Sequence, residues 1–210
     1  MKQSIKKIIA RMLYFFSYIF SRKLSVKLSS LYNQLYSMWF LREFKAVGEG
    51  FLISYPLYLH GGKHIAIGDG FSCQNRLHIH AFEEVLGDKF TPEITIGNNV
   101  SIQHDCHIGA INKITIGNNV LMASKVYISD HFHGEITKDA LFLPPAMRKL
   151  FSKGPVIIED NVWLGEGVVV LPGVTIGENS IIGANAVVTK SIPRNSVAAG
   201  NPARIVREIE

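Results

Sequence analysis

The chain has 210 residues, of which 47% are hydrophobic and 19% are charged, and its formal net charge is +5. These values are typical of one globular domain with a sizeable core, without low-complexity tracts. The two cysteines are too few for a disulfide framework, and no closely spaced cysteine pair indicates zinc. Residues 1–45 carry nine lysines and arginines against one glutamate, so the rest of the chain is net negative and no nucleic-acid partner is expected.

Residues 1–48 are predicted to form a basic, amphipathic helical region. Apolar side chains recur at helical spacing in two runs without Gly or Pro, at Ile5, Ile8, Ile9, Met12, Phe15, Phe16 and Ile19, and then at Leu24, Leu28, Leu31, Leu35 and Met38. The uncharged stretch 12–21 is too short to span a bilayer, and no small-residue cleavage site of a signal peptide follows it. Two compatible roles stay open for residues 1–45. The helices cap the domain that follows or pack on neighbouring subunits, or they lie on an anionic membrane surface. We therefore expect a cytoplasmic protein, with peripheral contact to the inner face of the cytoplasmic membrane as the second alternative.

The sequence from residue 158 repeats every six residues. The aliphatic positions are Ile158, Leu164, Val170, Ile176, Ile182 and Val188, and weaker runs of the same step begin at Ile67, Ile96 and Ile116. A period of six fits neither a helix nor an alternating strand, and it predicts a solenoid whose successive turns bury each other's aliphatic rows. Gly and Asn at the corners tolerate the positive φ that a sharp turn needs. Cys73 and Cys106 fall on inward positions, where we expect them to act as small apolar fillers.

Three longer runs resemble the hexapeptide-repeat acyltransferases. They are ITIGNNV, VIIEDNVWLGEGVVVLPGVTIGENSIIGANAVVTKSIP and AAGNPARIVREI. Within that family the chain is similar to the maltose and galactoside O-acetyltransferases and to the acetyltransferases of bacterial polysaccharide synthesis. The resemblance covers about residues 60–207. It implies an all-β fold, a left-handed parallel β-helix over 49–207, assembled as a homotrimer with acetyl-CoA as the donor and no metal.

The repeat is interrupted by a long segment, 129–155, which we interpret as an extended active-site loop. Transfer of an acetyl group to a hydroxyl needs a base near neutral pH, and histidine suits that task. The resemblance places the catalytic histidine at the mouth of this loop, at His131. His133 competes with it and is otherwise a candidate acceptor contact, because residues two apart on an extended segment project to the same face. Asp130 is expected to point away from His131, which leaves a backbone carbonyl to orient the imidazole.

The resemblance also implies a set of binding residues. Trp163 matches the tryptophan beside the reacting groups, and Asp105 lies nearest to an acceptor-contacting asparagine of the family. Glu166 stands where relatives often have serine, and Ala184 leaves room for the pantetheine arm. The candidate coenzyme A residues are Trp163, Gly165, Glu166, Ala184, Thr189, Lys190, Arg204 and Arg207, of which the last four match positions that hold the nucleotide end, where phosphates require charge-assisted donors. Without the resemblance, these basic residues are ordinary solvated charges and Trp163 packs between subunits.

The resulting expectation is an acetyl-CoA-dependent O-acetyltransferase that acts on a sugar hydroxyl in surface polysaccharide synthesis. His131 would act as general base in a direct transfer, because no serine or cysteine lies in an activated nucleophile setting. The alternatives are N-acetylation of a nucleotide-linked amino sugar and acetylation of an antibiotic. Two further alternatives lie outside acyl transfer: a zinc carbonic anhydrase on the same fold, which needs three converging histidines, and a non-catalytic scaffold.

Overall fold

The structure is a computed structural model that describes residues 2–135 and 137–209. Two helices open the chain, α1 (Lys2–Ile19) and α2 (Arg22–Phe40), and a 3-10 turn (Leu41–Glu43) joins them to a series of short strands. The strands of the first two coils are β1 (Ala46–Val47), β2 (Leu52–Ile53) and β3 (Leu57–His60), then β4 (Ile65–Ile67), β5 (Ser72–Cys73) and β6 (Leu77–Ala81), with a 3-10 turn (Gly62–His64) between them. A hairpin of β7 (Glu84–Val85) and β8 (Asp88–Lys89) follows.

The next coils repeat the same pattern. The third and fourth contain β9 (Glu93–Ile96), β10 (Ser101–Ile102) and β11 (His107–Ala110), then β12 (Lys113–Ile116), β13 (Leu121–Met122) and β14 (Tyr127–Ser129). The long loop contains β15 (Phe132–His133), α3 (Lys138–Leu141), a 3-10 turn (Pro145–Met147) and β16 (Leu150–Phe151). The fifth and sixth coils contain β17 (Val156–Ile158), β18 (Trp163–Leu164) and β19 (Val169–Val170), then β20 (Thr175–Ile176), β21 (Ile181–Ile182) and β22 (Val187–Val188). The chain closes with β23 (Ser196–Ala199) and β24 (Arg204–Glu208).

Equivalent strands of successive coils pair in parallel and form three sheets, so the predicted parallel β-helix is confirmed. Sheet A is β1-β4-β9-β12-β17-β20, sheet B is β2-β5-β10-β13-β18-β21-β23-β24, and sheet C is β3-β6-β11-β14-β19-β22. The register places the aliphatic positions of the repeat opposite one another, with Ile116 beside Ile158 and Ile158 beside Ile176. These side chains are fully buried, and each contributes roughly 1.5–3 kcal/mol to stability.

The corner between sheets A and B is held by a ladder of asparagines. The residues all have positive φ and are Asn99, Asn119, Asn161, Asn179 and Asn195. Each side-chain Nδ2 donates to the Oδ1 of the next asparagine, at 3.0–3.2 Å. An amide both donates and accepts, so one residue type supplies the tight turn and the bond to the next coil.

The second half of α2 caps the first coil, which is one of the two roles expected of the N-terminal helices. The outermost strands have no preceding coil to accept their N–H groups, and such groups need other partners. The buried Ser37 hydroxyl accepts the N–H of Ile53 at 2.9 Å, and the Tyr36 hydroxyl accepts the N–H of Leu57 at 3.2 Å. Side chains of α2 thereby satisfy the N–H groups of Ile53 and Leu57 at the exposed edge of the first coil.

From residue 3 onward, the helix α1 and the first half of α2 are exposed, including their apolar side chains. Phe15, for example, is 65% exposed. In the range 2–135 and 137–209, no helix has both the length and the apolar character needed to cross a bilayer. Hence these helices form a basic, apolar extension of the β-helix.

The two cysteines act as core residues, as expected. Both are buried and carry free thiols. Burial raises the pKa of Cys73 to about 12 and that of Cys106 to about 11, which leaves both thiols protonated at neutral pH.

Candidate active site

The imidazole of His131 lies where the chain leaves sheet C to enter the long loop. Its Nδ1 is 3.0 Å from Oδ1 of Asp130, and its side chain is only 10% exposed. The ring of Phe82 packs edge-to-face against it, with the ring centroids 5.9 Å apart. The histidine is therefore fixed by a carboxylate on one side and an aromatic ring on another.

The contact between Asp130 and His131 corrects the expectation that Asp130 points away. The Asp130 side chain is fully buried. In addition to its contact with His131, it accepts two backbone N–H groups of the preceding coil. Oδ1 accepts the N–H of Ile111 at 2.9 Å, and Oδ2 accepts that of Asn112 at 2.8 Å. These bonds satisfy the buried charge and turn the carboxylate inward and back toward the neighbouring imidazole. The sequence shows an acidic residue at an inward position of the repeat, but it does not show which groups the carboxylate contacts.

The hydrogen bonds indicate which nitrogen of His131 carries the proton. A carboxylate only accepts, so Nδ1 is the protonated nitrogen and Nε2 of the neutral ring has the free lone pair. The Ser129 hydroxyl holds the backbone of the same residue, since it accepts the His131 N–H at 3.2 Å and donates to the His131 carbonyl at 3.0 Å. The arrangement leaves the Nε2 lone pair free to accept a proton.

The loop after His131 begins and ends in a short antiparallel hairpin, so it is more ordered than the sequence predicted. Phe132 of β15 lies opposite Phe151 of β16, and His133 lies opposite Leu150. The side chain of His133 is exposed, in contrast to that of His131. The two histidines thus occupy different environments, with His131 packed against the coil and His133 on the hairpin.

A groove of about 440 Å³ starts at the hairpin and runs toward the sixth coil. It is lined by Phe132, Gly134, Glu135, Phe151, Lys153, Leu171, Pro172 and Thr189. Thr189 was predicted from the sequence. Lys153 was not predicted to belong to the site. Its position directly before Gly154, in the returning arm of the loop, was the sequence feature that could have indicated it. The groove joins the loop that begins at His131 to one of the predicted coenzyme A positions.

The other predicted donor residues lie on sheet B, at the corners that follow β18, β21 and β22, and on the final strand. Trp163 is 48% exposed, and the register sets it in one row with Ile181, Val197 and Arg207. Ala184, Lys190 and Arg204 are exposed, and Glu166 pairs with Lys125 at 3.1 Å. Gly165 is buried where a Cβ atom would lie 2.7 Å from the backbone nitrogen of Ala184, so close packing of coils requires glycine there.

Asp105 lies at the corner that precedes β11, two residues before the strand begins. It has a φ of 60° and its carboxylate is paired with Arg76 of the preceding coil. The hydrogen bond from Arg76 lowers the pKa of Asp105. In the part of the chain that the structure describes, no three His, Cys, Asp or Glu side chains are arranged to hold a metal ion.

Comparison with known proteins assigns the family. The model of the bacterial transferase hexapeptide (six repeats) matches residues 155–190. WbbJ of Escherichia coli K12, named for O-acetyl transfer in lipopolysaccharide biosynthesis, is 40% identical over 75% of this chain and 78% of its own length. The chain belongs to the hexapeptide-repeat acetyltransferase family. Its coils are those of the left-handed parallel β-helix, as the resemblance implied.

Two solved structures support the assignment. A maltose O-acetyltransferase from Clostridium difficile 630 has 29% sequence identity and a TM-score of 0.55, with 91% of this chain and 88% of that chain covered. A galactoside acetyltransferase in complex with coenzyme A has 30% identity and a TM-score of 0.51, with 81% and 68% covered. The hexapeptide-repeat chain is therefore an acetyltransferase with acetyl-CoA as its co-substrate.

The buried carboxylate can be tested as a positioning residue. Asp130→Asn keeps the shape, removes the charge and replaces one acceptor oxygen with an NH₂ group, which faces the N–H of Asn112 in one amide orientation and Nδ1 of His131 in the other. We expect kcat to fall on the order of 10²-fold, with KM for acetyl-CoA unchanged. ¹⁵N NMR of labelled histidine should show a single Nδ1–H tautomer for His131 in the wild type and a mixture of tautomers in the variant.

The matched control is Asp139→Asn, because Asp139 is an exposed aspartate of the same loop. Its kcat and histidine spectrum should equal those of the wild type. An unchanged His131 tautomer in Asp130→Asn, with or without loss of activity, would contradict the positioning role.

Proposed function

We propose that the protein transfers the acetyl group of acetyl-CoA to a sugar hydroxyl of a bacterial surface polysaccharide, with His131 as the general base. The observation that carries the proposal is the Asp130–His131 pair. It lies at the start of the long loop, and the groove leads from this loop to Thr189. A base with a fixed tautomer beside a groove of this kind suits direct transfer between two bound substrates.

One imidazole is sufficient for both proton transfers of the reaction. Nε2 of His131 takes the proton of the acceptor hydroxyl while the oxygen attacks the thioester carbonyl. The tetrahedral oxyanion is stabilised by N–H donors of the neighbouring coil, and its collapse breaks the carbon–sulfur bond. The imidazolium returns the proton to the leaving thiolate of coenzyme A, and the neutral base is regenerated. Asp130 stabilises the transient imidazolium, as a buried carboxylate does for a catalytic histidine.

The donor side of the proposal runs along the last two coils. Trp163, Gly165 and Ala184 border the path of the pantetheine arm, and Glu166 lies at the same edge. Thr189, Lys190, Arg204 and Arg207 hold the nucleotide end, with Lys153 as an additional phosphate contact from the groove. On the acceptor side, His133 and Asp105 remain proposed contacts.

The acceptor is proposed to be a lipid-linked or nucleotide-linked glycan intermediate. WbbJ is named for lipopolysaccharide biosynthesis, and the basic, apolar N-terminal helices suit work beside a membrane that holds lipid-linked sugars. N-acetylation of a nucleotide-linked amino sugar and antibiotic acetylation are the competing outcomes of the acceptor test.

That test measures release of free thiol from acetyl-CoA in the presence of fragments of O-chains and capsular polysaccharides, amino sugar nucleotides and aminoglycosides. We expect transfer to a glycan fragment, with the product ester mapped by mass spectrometry and cleaved by mild alkali. His131→Ala should lower kcat by about 10²–10⁴-fold. The exposed His133, a proposed acceptor contact, supplies the comparison, since His133→Ala should raise KM for the acceptor and retain kcat within about tenfold. An alkali-stable amide product, or full activity of His131→Ala, would overturn the proposal.

We further propose a cyclic homotrimer in which each active site is shared by two subunits. Trp163 lies on sheet B, whereas His131 leaves sheet C, so the two residues face different directions in one chain. The outward row of sheet B carries exposed apolar side chains, including Leu52 and Leu121. The equivalent row of sheet A carries smaller and more polar side chains, with threonines at 95, 115 and 175 beside Ala66 and Ile157. A heterologous contact of sheet B with the long loop of a neighbour, at the edge of its sheet C, brings tryptophan and histidine together, closes a ring and leaves the outer face of sheet C open to the cleft between the two subunits.

Shared sites can be tested by mixing two inactive variants. His131→Ala and Trp163→Ala subunits are unfolded together and refolded in equal amounts. About one quarter of the subunit interfaces should then combine an intact histidine with an intact tryptophan, and activity should return at those interfaces. The readout is thiol release relative to the wild type, with each variant refolded alone as the control. Absence of recovery in mixed trimers of confirmed composition would contradict a site built from two subunits.

Peripheral membrane contact through residues 1–45 completes the proposal and places the enzyme at the inner face of the cytoplasmic membrane. On α1, exposed apolar side chains such as Ile8 and Phe15 accompany Lys6, Lys7 and Arg11. An exposed helix of this composition binds anionic bilayers by inserting apolar side chains and pairing its cations with lipid phosphates.

Vesicle flotation tests this contact. The full-length protein should float with vesicles of phosphatidylglycerol and phosphatidylcholine, and much less with phosphatidylcholine alone. The triple variant Lys6→Gln, Lys7→Gln, Arg11→Gln should lose about a hundredfold in partition coefficient, at about 1 kcal/mol for each cation. Lys138→Gln, on the loop helix, serves as the charge control. Equal flotation with both vesicle types would rule out an electrostatic contact.

A further inference from the structure

The outer face of sheet C carries a column of aromatic and imidazole rings that the transfer mechanism does not use. Tyr58, His78, His107 and Tyr127 are direct register partners on four successive strands. Their rings stack nearly parallel, with centroid distances of 4.3, 5.8 and 5.0 Å along the column. The two tyrosines at the ends are 44% and 39% exposed. The column spans three strand spacings, about 14 Å.

The repeat does not require rings at these positions. The outward row of sheet A on the same coils carries Ala66, Thr95 and Thr115, and that of sheet B carries Leu52, Ser72, Ser101 and Leu121. In the first four coils these stacked rings are thus confined to sheet C, and the core would be the same with small residues there. We conclude that this face has a role other than stability.

The column is continuous with the proposed base. His107 and His131 converge above Gly109, where a Cβ atom would lie 3.2 Å from His107 Nε2 and 3.5 Å from His131 Cε1. His80 and Phe82 fill the space beside them, with 5.4 Å between the His80 and His107 ring centroids and 5.5 Å between those of His80 and Phe82. A ligand seated on the rings therefore reaches His131 without a gap.

The chemistry of the rings favours a neutral, hydroxyl-rich ligand. Burial lowers the pKa of His107 to about 4, and burial is also the main cause of the lowered pKa of His80. Both imidazoles are uncharged at neutral pH and offer one donor and one acceptor each. The tyrosines add hydroxyl groups at the two ends. Because the rings of the column stack on one another, they present their polar edges outward, where these donors and acceptors can hydrogen-bond the hydroxyl groups of a sugar.

The charged residues at the margin are already paired. Arg76 is bound to Asp105, and Lys63 is 2.9 Å from Glu83. Neither cation is therefore available for a phosphate on this face, which argues against a nucleotide as the ligand.

From these observations we propose that the ring track, defined as Tyr58, His78, His80, Phe82, His107 and Tyr127, binds sugar residues of the acceptor that adjoin the acetylated one. The site accommodates roughly two to three sugar rings along its 14 Å length. The inference rests on the proposed function and adds to it that the acceptor is an oligosaccharide or longer glycan, which is held beyond the reacting sugar.

The test compares acceptors of different length. The glycan that the wild type acetylates is cut into fragments of one and of three residues, and KM and kcat are measured for both with the full-length protein. The double variant Tyr58→Ala, His78→Ala changes rings two and three strands away from the strand that leads to His131. We expect about a tenfold rise in KM for the three-residue fragment, with KM for the one-residue fragment and for acetyl-CoA unchanged.

Two controls separate hydrogen bonding to the ligand from a structural effect. Tyr58→Phe, His78→Phe keeps the stacked column but removes its donors and acceptors, and it should raise KM for the long fragment about as much as the double alanine variant. Thr115→Ala changes an outward residue of sheet A and should have no effect. Light scattering must give the same mass for every variant.

The outcomes distinguish this proposal from the function on which it rests. If the wild type transfers acetyl groups to no glycan, the proposed function fails and the ring track fails with it. If transfer occurs but the double variant treats long and short fragments alike, only the ring track is wrong. Dissociation of the double variant into smaller species would show that this face is a subunit contact, and it would also overturn the inference.

Discussion

The stacking of inward aliphatic rows is the constraint on which the rest of the structure depends. Each coil buries the same positions as the coil before it, as in the row through Ile96, Ile116, Ile158 and Ile176. Any shift by one residue would turn these side chains to solvent, so the register along the whole solenoid is fixed by burial. Because the inward set is fixed, the outward set is fixed too. Residues far apart in sequence then form straight columns, such as the asparagine ladder and the stacked rings of sheet C.

The interruption of this repeat creates the site. A solenoid can accept an insertion at a corner without cost to its core, provided that the next coil resumes in register, and β12 pairs directly with β17 across the loop. The insertion leaves the backbone N–H groups of Ile111 and Asn112 without their usual partner from the next coil. The carboxylate of Asp130 accepts both and holds the imidazole of His131 as well. One buried charge thus closes the corner and orients the imidazole, which couples local stability to the geometry of the candidate site.

The sequence was sufficient for features that repeat and insufficient for those that occur once. The aliphatic row from Ile158 to Val188 determined the solenoid, because its period excludes other folds. The position of His131 followed from the resemblance. The Asp130 contact could not be predicted, since side-chain direction at a corner depends on which N–H groups remain unpaired, and that depends on how the loop leaves the coil. The contacts of Ser37 and Tyr36 with the first coil likewise could not be predicted, because a helical pattern does not show which hydroxyl accepts an N–H group of a strand edge. The separation of Trp163 from His131 required the sheet assignment, which a flat repeat pattern does not give.

The solenoid also arranges its binding features along one axis. The exposed basic helices lie before the first coil, the ring track covers the first four coils, and His131 follows the fourth. The groove and the predicted coenzyme A residues belong to the loop, the last two coils and the final strands. A donor that occupies the C-terminal coils and an acceptor that lies on the N-terminal coils would approach His131 from opposite ends and would not compete for the same surface. Since neither substrate must move aside for the other, a single imidazole between them is sufficient for transfer in one ternary complex, and no covalent acetyl-enzyme is needed.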